Sequence, residues 1–218
     1  MGEAALYVFD AYGTLFDVHS AVARHREAIG PQSERLSELW RTKQLEYAWV
    51  RSLMGAHRDF WSLTGDALDF AAARIGGVSA GTRALLLEAY RALDAYPEAR
   101  SVLTMLRERG AKTAILSNGS QEMLDAAVSS AGLSGLLDAA LSVEDVRVFK
   151  TDPRTYDMVC RRFDADRRSV SFQSSNRWDI AGARRFGFRT AWINRTGVPD
   201  EYLDLPPDRV LSDLTGLL

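Results

Sequence analysis

The chain changes its hydrophobic rhythm twice. A short unbroken apolar run, Ala4 to Phe9, opens it; such runs fit strands buried on both faces of a parallel sheet. Between Val18 and Tyr96 the pattern is helical, over Ser20 to Ile29, Glu34 to Met54, Asp66 to Ile75 and Thr82 to Leu93. After Pro97, strand and helix signals alternate. Ala111 to Ser117, Ala139 to Ser142, Val170 to Phe172 and Thr190 to Ile193 predict strands. Gln121 to Ala131, stopped by Gly132, Pro153 to Phe163, and Trp178 to Phe186, stopped by Gly187, predict helices. Alternation at this spacing implies a parallel sheet with right-handed crossovers. The helical insert is too long for a structureless loop and must fold as its own unit. The reading is an α/β protein: a Rossmann-like core domain of residues 1–17 and 97–218, and an inserted helical subdomain, residues 18–96.

On the helix from Glu34 to Met54, the residues Leu36, Leu39, Trp40, Tyr47, Val50 and Met54 share one broad apolar side. Arg41, Leu45 and Ala48 fall roughly opposite. A second, partly apolar face carrying one arginine predicts that this helix looks at something besides its own core.

Composition narrows the classes. Lys and Arg total 27 against 29 Asp and Glu, a net charge of −2, so no basic surface points to nucleic acid or an anionic membrane. No apolar run approaches the ~20 residues of a membrane span, and the N-terminus lacks a signal-like apolar core. Cys160 is alone and reads as a core thiol. His19, His25 and His57 fit no ligand spacing. A cytoplasmic, disulfide-free enzyme is the expectation.

Four segments carry candidate chemistry. Asp10 follows the first apolar run and precedes Gly13 and Thr14, which places a carboxylate at the carboxyl edge of a buried strand. Ser117, Asn118, Gly119 and Ser120 lie between a strand and a helix, where hydroxyl, amide and N–H groups can face an anion. Lys150 follows the apolar pair Val148 and Phe149, ahead of a helix, and can lie beside Asp10. In Ser174-Ser175-Asn176-Arg177-Trp178-Asp179 only Asp179 is acidic, a poor donor set for magnesium.

The segment from Val8 to Leu15 resembles the nucleophile motif of the haloacid dehalogenase superfamily. Its phosphatases carry a second aspartate, the general acid for a leaving alcohol, where this chain has Tyr12. A phenol with an unperturbed pKa of about 10 offers no carboxylate, and a departing halide needs no proton. Together, FDAYGTLFDVHSAV (9–22), LWRTKQLEY (39–47), ILSNGS (115–120), FKTDPRTY (149–156), SSNRWD (174–179) and INRTG (193–197) closely resemble the L-2-haloacid dehalogenases. The resemblance implies hydrolysis of (S)-2-haloalkanoic acids, such as 2-chloropropionate or chloroacetate, to 2-hydroxy acids with inversion. It also implies a helical cap, no cofactor, no metal and a homodimer.

Family roles carry over onto Asp10, Thr14, Arg41, Ser117, Asn118, Lys150, Tyr156, Ser174, Asn176 and Asp179, with Leu45, Phe60 and Trp178 as an apolar substrate wall. The implied route is covalent. Asp10 attacks carbon 2, while Arg41 meets the halide with Asn118 and Phe60. Ser117 and the N–H groups of Ala11 and Tyr12 anchor the substrate carboxylate. Lys150 keeps Asp10 ionised, Asp179 and Asn176 act on the water, and Thr14 and Ser174 fix the geometry of Asp10 and Lys150. Tyr156 positions. Thr42, Thr151, Gln173 and Arg177 depart from the commonest family pattern. The competing readings are a fluoroacetate-cleaving member, a magnesium-dependent phosphatase or phosphonatase, and a non-catalytic binding protein on the same fold.

Overall fold

The computed structural model describes residues 5–218; Ala4, expected to open the first strand, lies outside them. Six parallel strands form one sheet: β1 (Leu6–Phe9), β2 (Lys112–Ser117), β3 (Ala139–Ser142), β4 (Val170–Ser174), β5 (Arg189–Ile193) and β6 (Arg209–Leu211), in the order β3-β2-β1-β4-β5-β6. The chain winds outward from β1 in one direction and then resumes at β4 in the other. The carboxyl ends of β1 and β4 therefore flank the switch point, where open α/β sheets form their crevice. All four residues of β1 are buried, as a central parallel strand requires.

The helices are α1 (Ser20–Arg24), α2 (Arg26–Ile29), α3 (Ser33–Met54), α4 (Phe60–Arg74), α5 (Ala80–Arg91), α6 (Ala99–Glu108), α7 (Gln121–Ser130), α8 (Pro153–Phe163) and α9 (Arg177–Phe186). Three differ from the sequence expectation. The run Ser20 to Ile29 breaks at His25 into two short helices. Helix α4 starts at Phe60, not Asp66, because Asp59 caps it by accepting from Ser62 N–H. Helix α6 and the short edge strand β6 were not anticipated. The first had a usable signal in Ala99, Val102, Leu103 and Leu106, all buried at helical spacing; β6 is three residues long and mostly exposed.

The side of α3 that packs on α4 and α1 is as expected at Leu36 and Trp40, which are buried, and differs further along the helix. Val50 and Met54, expected inside, are 45% and 61% exposed, while Ala48, expected opposite, is fully buried. The buried arc is centred on Ser37, Gln44 and Ala48, whose small or hydrogen-bonded side chains let the neighbouring helices approach. Trp40 anchors that contact by donating from Nε1 to the Thr64 carbonyl at 2.8 Å.

The helical layer α1–α5 joins the sheet through two adjacent linkers. Phe16 and Ala95 form an isolated antiparallel bridge, with Asp17 N–H donating to Asp94 O at 2.8 Å and Tyr96 N–H to Leu15 O at 2.9 Å. Arg195, just past β5, ties them to the sheet. Its Nη2 donates to the Thr14 carbonyl at 3.0 Å, its Nη1 lies 2.6 Å from Glu98 Oε1, and its guanidinium lies 3.7 Å from the centre of the Tyr96 ring.

Below the switch point, Tyr156, Phe172, Phe186 and Phe188 form an aromatic cluster. On β4, Gln173 is fully buried; its amide nitrogen reaches Ser171 Oγ, but its Oε1 has no partner. An unpaired buried carbonyl costs on the order of 1–3 kcal/mol. Gln173→Met keeps the volume and removes that group, and Ser171 is exposed enough to find water. We expect the variant to be about 1 kcal/mol more stable in urea unfolding; a loss of stability would show that the Gln173 amide is satisfied in solution.

Candidate active site

Asp10 leaves β1 at the switch point, its own N–H held by the Gln173 carbonyl of β4 at 2.9 Å. Its two oxygens are treated differently. Oδ2 accepts from Thr14 Oγ1 at 3.1 Å and from Asn176 Nδ2 at 2.8 Å; Oδ1 accepts from Lys150 Nζ at 3.1 Å. Thr14 Oγ1 in turn accepts from Ser175 N–H at 2.8 Å, which locks the loop after β1 to the loop after β4.

Lys150 is 1% exposed and bridges two acids, since Nζ also donates to Asp179 Oδ2 at 2.9 Å. Asp179, in the first turn of α9, is fully buried, and its Oδ1 accepts from Tyr156 OH at 2.8 Å. Burial pushes the Asp179 carboxyl up; Lys150 opposes this and Asp10 adds to it, raising the pKa from 3.8 to about 6. For Lys150 burial works against the charge, but Asp10 and Asp179 outweigh it and hold the ammonium above its ordinary pKa. Gly182 permits this packing: a Cβ there would lie 2.5 Å from Tyr156 OH and 2.7 Å from Thr151 Cβ.

The remaining expected residues are placed as follows. Asn118 Oδ1 accepts from Lys150 N–H at 2.9 Å, while its Nδ2 is buried without a partner. Ser117 Oγ is buried and accepts from Gly119 N–H at 3.1 Å. Among the described residues no protein acceptor takes the N–H of Ala11 or Tyr12, although the Ala11 carbonyl accepts from Thr14, Leu15 and Phe16. Arg41 reaches across from α3, donating from Nη2 to the Tyr12 carbonyl at 3.1 Å and toward Asn176 Oδ1 at 3.5 Å. Leu45 lies one helical turn further along the same face, half-buried. Phe60 is buried, its ring 6.4 Å from Tyr12 and 5.7 Å from Phe149.

One placement corrects the expectation, and one adds to it. Ser174 Oγ accepts from Asn176 N–H at 3.1 Å, so it orients Asn176 and not Lys150, because the loop after β4 turns back on itself there. Trp178 packs edge-on against Trp49, ring centres 5.3 Å apart. Both line a surface cleft of about 930 Å³ that reaches Phe149 and Lys150.

Three residues near the site were not anticipated. Gln44 and Tyr90 are buried beside the half-buried Arg41, and Tyr90 stacks on Tyr12 at 5.7 Å. Glu144, from the sheet side, accepts from Phe60 N–H at 2.8 Å at the start of α4. A polar residue in the buried arc of α3 was the one available signal, for Gln44. The four departures from the family pattern stay clear of Asp10's side-chain contacts. Thr42 is exposed and bonds the Glu38 carbonyl; Thr151 is exposed; Gln173 contributes only its backbone. Arg177 turns to the chain after β5, with Asp200 Oδ1 at 2.6 Å and the carbonyls of Tyr202 and Leu205 at 2.7 and 2.9 Å.

Among the described residues no group of three or more His, Cys, Asp or Glu converges to hold a metal. The space between the two acids is taken by the Lys150 ammonium, so a magnesium ion placed there would face a cation. The donor set does not fit that ion.

A family model for haloacid dehalogenase-like hydrolases matches residues 4–187. The chain is 48% identical over 211 residues to (S)-2-haloacid dehalogenase 1 of Pseudomonas sp. (strain CBS-3), covering 96% of this chain and 93% of that protein. A solved structure of a dehalogenase superposes with a TM-score of 0.97 at 45% identity, covering 100% and 96% of the two chains. The L-2-haloacid dehalogenase of Xanthobacter autotrophicus with chloropropionic acid covalently bound superposes with a TM-score of 0.90 at 37% identity, covering 98% and 96%.

The bridging ammonium generates a stability prediction. Lys150→Met leaves two buried carboxylates without a cation and should cost roughly 3–5 kcal/mol near neutral pH. A carboxyl whose folded pKa is raised favours the protonated folded state. Its contribution is full below 3.8, the ordinary value for Asp179, and is lost as pH rises through about 6 in the native protein and higher in the variant. The deficit against the native protein should therefore shrink between about pH 7.5 and about pH 4.5 in urea unfolding. An equal deficit at both would mean that Asp179 is not destabilised by its own charge.

Proposed function

This chain belongs to the haloacid dehalogenase-like hydrolases, and we propose that Asp10 is the nucleophile with which it hydrolyses (S)-2-haloalkanoic acids to 2-hydroxy acids. The observation that carries the reading is the asymmetry at Asp10. Oδ2 is held by two donors, whereas Oδ1 meets only Lys150 and keeps acceptor capacity for attack.

Oδ1 forms a bond to carbon 2 from the side opposite the halogen; the carbon–halogen bond breaks and the halide leaves with its electron pair, inverting the carbon. Arg41 and the unpartnered Asn118 Nδ2 receive the halide beside Phe60, with Leu45 and Trp178 completing the apolar wall. The substrate carboxylate is anchored by Ser117 and the free N–H groups of Ala11 and Tyr12. In the ester, Oδ2 is the carbonyl oxygen, and Thr14 and Asn176 already point donors at it. They stabilise the charge that develops when water attacks Asp10 Cγ.

Asp179, with a pKa of about 6, takes the proton of that water and returns one to the leaving alkoxide. Tyr156 and Lys150 hold Asp179 in place, and Ser174 holds Asn176. Helices α1–α5, residues 18–96, act as the cap that excludes water from the attack. The reaction uses no cofactor. The enzyme is read as a cytoplasmic homodimer; the exposed apolar residues Trp49, Val50, Leu53 and Met54 at the end of α3 support the dimer, and no helix of the described residues is long and apolar enough to cross a membrane.

The test is a single turnover in oxygen-18 water with enzyme in excess, run separately on the two enantiomers of 2-chloropropionate. Halide release is expected from the L form, with label entering the peptide that contains Asp10 and an unlabelled hydroxyl in the product. Label in the product and none in Asp10 would mean that water attacks carbon 2 directly, and the covalent route would be wrong.

A further inference from the structure

Gln44 is a mid-helix glutamine of α3 that is 1% exposed, and every polar atom of its side chain is engaged. Its Oε1 accepts from Arg41 Nη1 at 2.8 Å and from Tyr90 OH at 3.1 Å. Its Nε2 donates to Thr64 Oγ1 at 2.7 Å, and that hydroxyl passes its own proton bond to the Phe60 carbonyl at 2.8 Å. The orientation of the amide follows from its partners, since an NH₂ group facing a guanidinium would set donor against donor. One side chain thus joins Arg41, the start of α4 that carries Phe60, and Tyr90, whose ring stacks on Tyr12 at 5.7 Å with 13° between planes.

The acceptors of Arg41 share a property. Gln44 Oε1, the Tyr12 carbonyl and Asn176 Oδ1 are all neutral, and among the described residues no carboxylate is paired with this arginine. Arg24, Arg58, Arg83 and Arg177, by contrast, each meet an aspartate. A carboxylate beside Arg41 would fix the guanidinium more strongly, but would also cancel the charge that a leaving anion needs.

We propose that Gln44 is a positioning residue that aims Arg41 at the leaving halide while leaving its charge uncompensated. The inference rests on the dehalogenase reading above and deepens it. Gln44 touches no substrate atom itself; it acts through Arg41 and through the Thr64 link to Phe60. Glu has the same size and would hold the guanidinium at least as well, but it would neutralise it and give up the bond to Thr64.

The test compares Gln44→Glu and Gln44→Met with the native enzyme on L-2-chloropropionate and L-2-bromopropionate, with bromide as a product inhibitor. Gln44→Glu is expected to lower kcat about 100-fold with a much smaller change in KM, and to weaken bromide inhibition about tenfold. Chloride, the poorer leaving group, should suffer more, so the bromo-to-chloro rate ratio rises. Gln44→Met, which frees the guanidinium without neutralising it, should lose only about tenfold in kcat. A glutamate variant with native kcat, rate ratio and bromide inhibition would overturn the proposal. So would losses confined to thermal stability, with an unchanged rate ratio, since those mark a purely structural residue. Should Gln44→Glu fail to fold, native kcat and bromide inhibition in Gln44→Met would be equally fatal. A native enzyme that releases no halide from either substrate fails the dehalogenase reading itself, a separate outcome from active native enzyme with indifferent Gln44 variants.

Discussion

One ammonium group organises this molecule. Lys150 Nζ lies 3.1 Å from Asp10 and 2.9 Å from Asp179, with its side chain removed from solvent. Two carboxylates that close cannot both be buried as anions unless a cation sits between them. Asp10 comes from the end of β1, Lys150 from the segment after β3, and Asp179 from the first turn of α9 after β4. Parallel strands wound outward from β1 in both directions bring these three ends to one crevice. Thr14, Asn176 and Tyr156 then donate to the two carboxylates, and Ser175 N–H fixes Thr14, leaving open acceptor capacity on Asp10 Oδ1.

The second cation of the site is handled in the opposite way. Arg41 comes from the helical layer, only partly buried, and meets neutral oxygens alone. Lys150 holds anions that belong to the protein; under the proposal, Arg41 keeps its charge for one that does not. The separation also assigns each half of the chain a part. In the proposed route the sheet supplies the nucleophile and the groups that act on the ester, and the helices supply the receiver of the leaving group and the apolar wall of Phe60. The linkers clasped by Arg195 set how the two halves face each other, because that residue binds the Thr14 carbonyl and Glu98 together.

Much of this was legible in the chain itself. Fully buried parallel strands leave short apolar runs, and glycine or proline punctuates helices, so β3 and α8 fall at their expected bounds and β2, β4, β5, α7 and α9 within one or two residues. Asp10, Lys150 and Asp179 were found because each follows a strand at the edge where such sheets hold their chemistry. The helical layer was harder. Apolar periodicity placed Val50 and Met54 inside α3, yet the helix buries the arc of Ser37, Gln44 and Ala48, since close packing on α4 favours small and hydrogen-bonded residues over bulk. Tyr90 and Glu144 gave no local sign, as their partners are 46 and 84 positions away.

The sequence by itself determined the order of strands and helices, the long helical insert and the residue types able to do covalent chemistry without an acid at position 12. These are local properties, written in periodicity, turn residues and strand ends. Only the tertiary structure decided which charges neutralise one another. It set Lys150 between two acids, turned Ser174 to Asn176, packed Trp178 edge-on against Trp49, drew Arg177 away to Asp200 and left Arg41 facing neutral oxygens. The physical reason is that an ionised side chain acquires its role from burial and from neighbours contributed by distant parts of the chain, and neither exists until the sheet has closed around it.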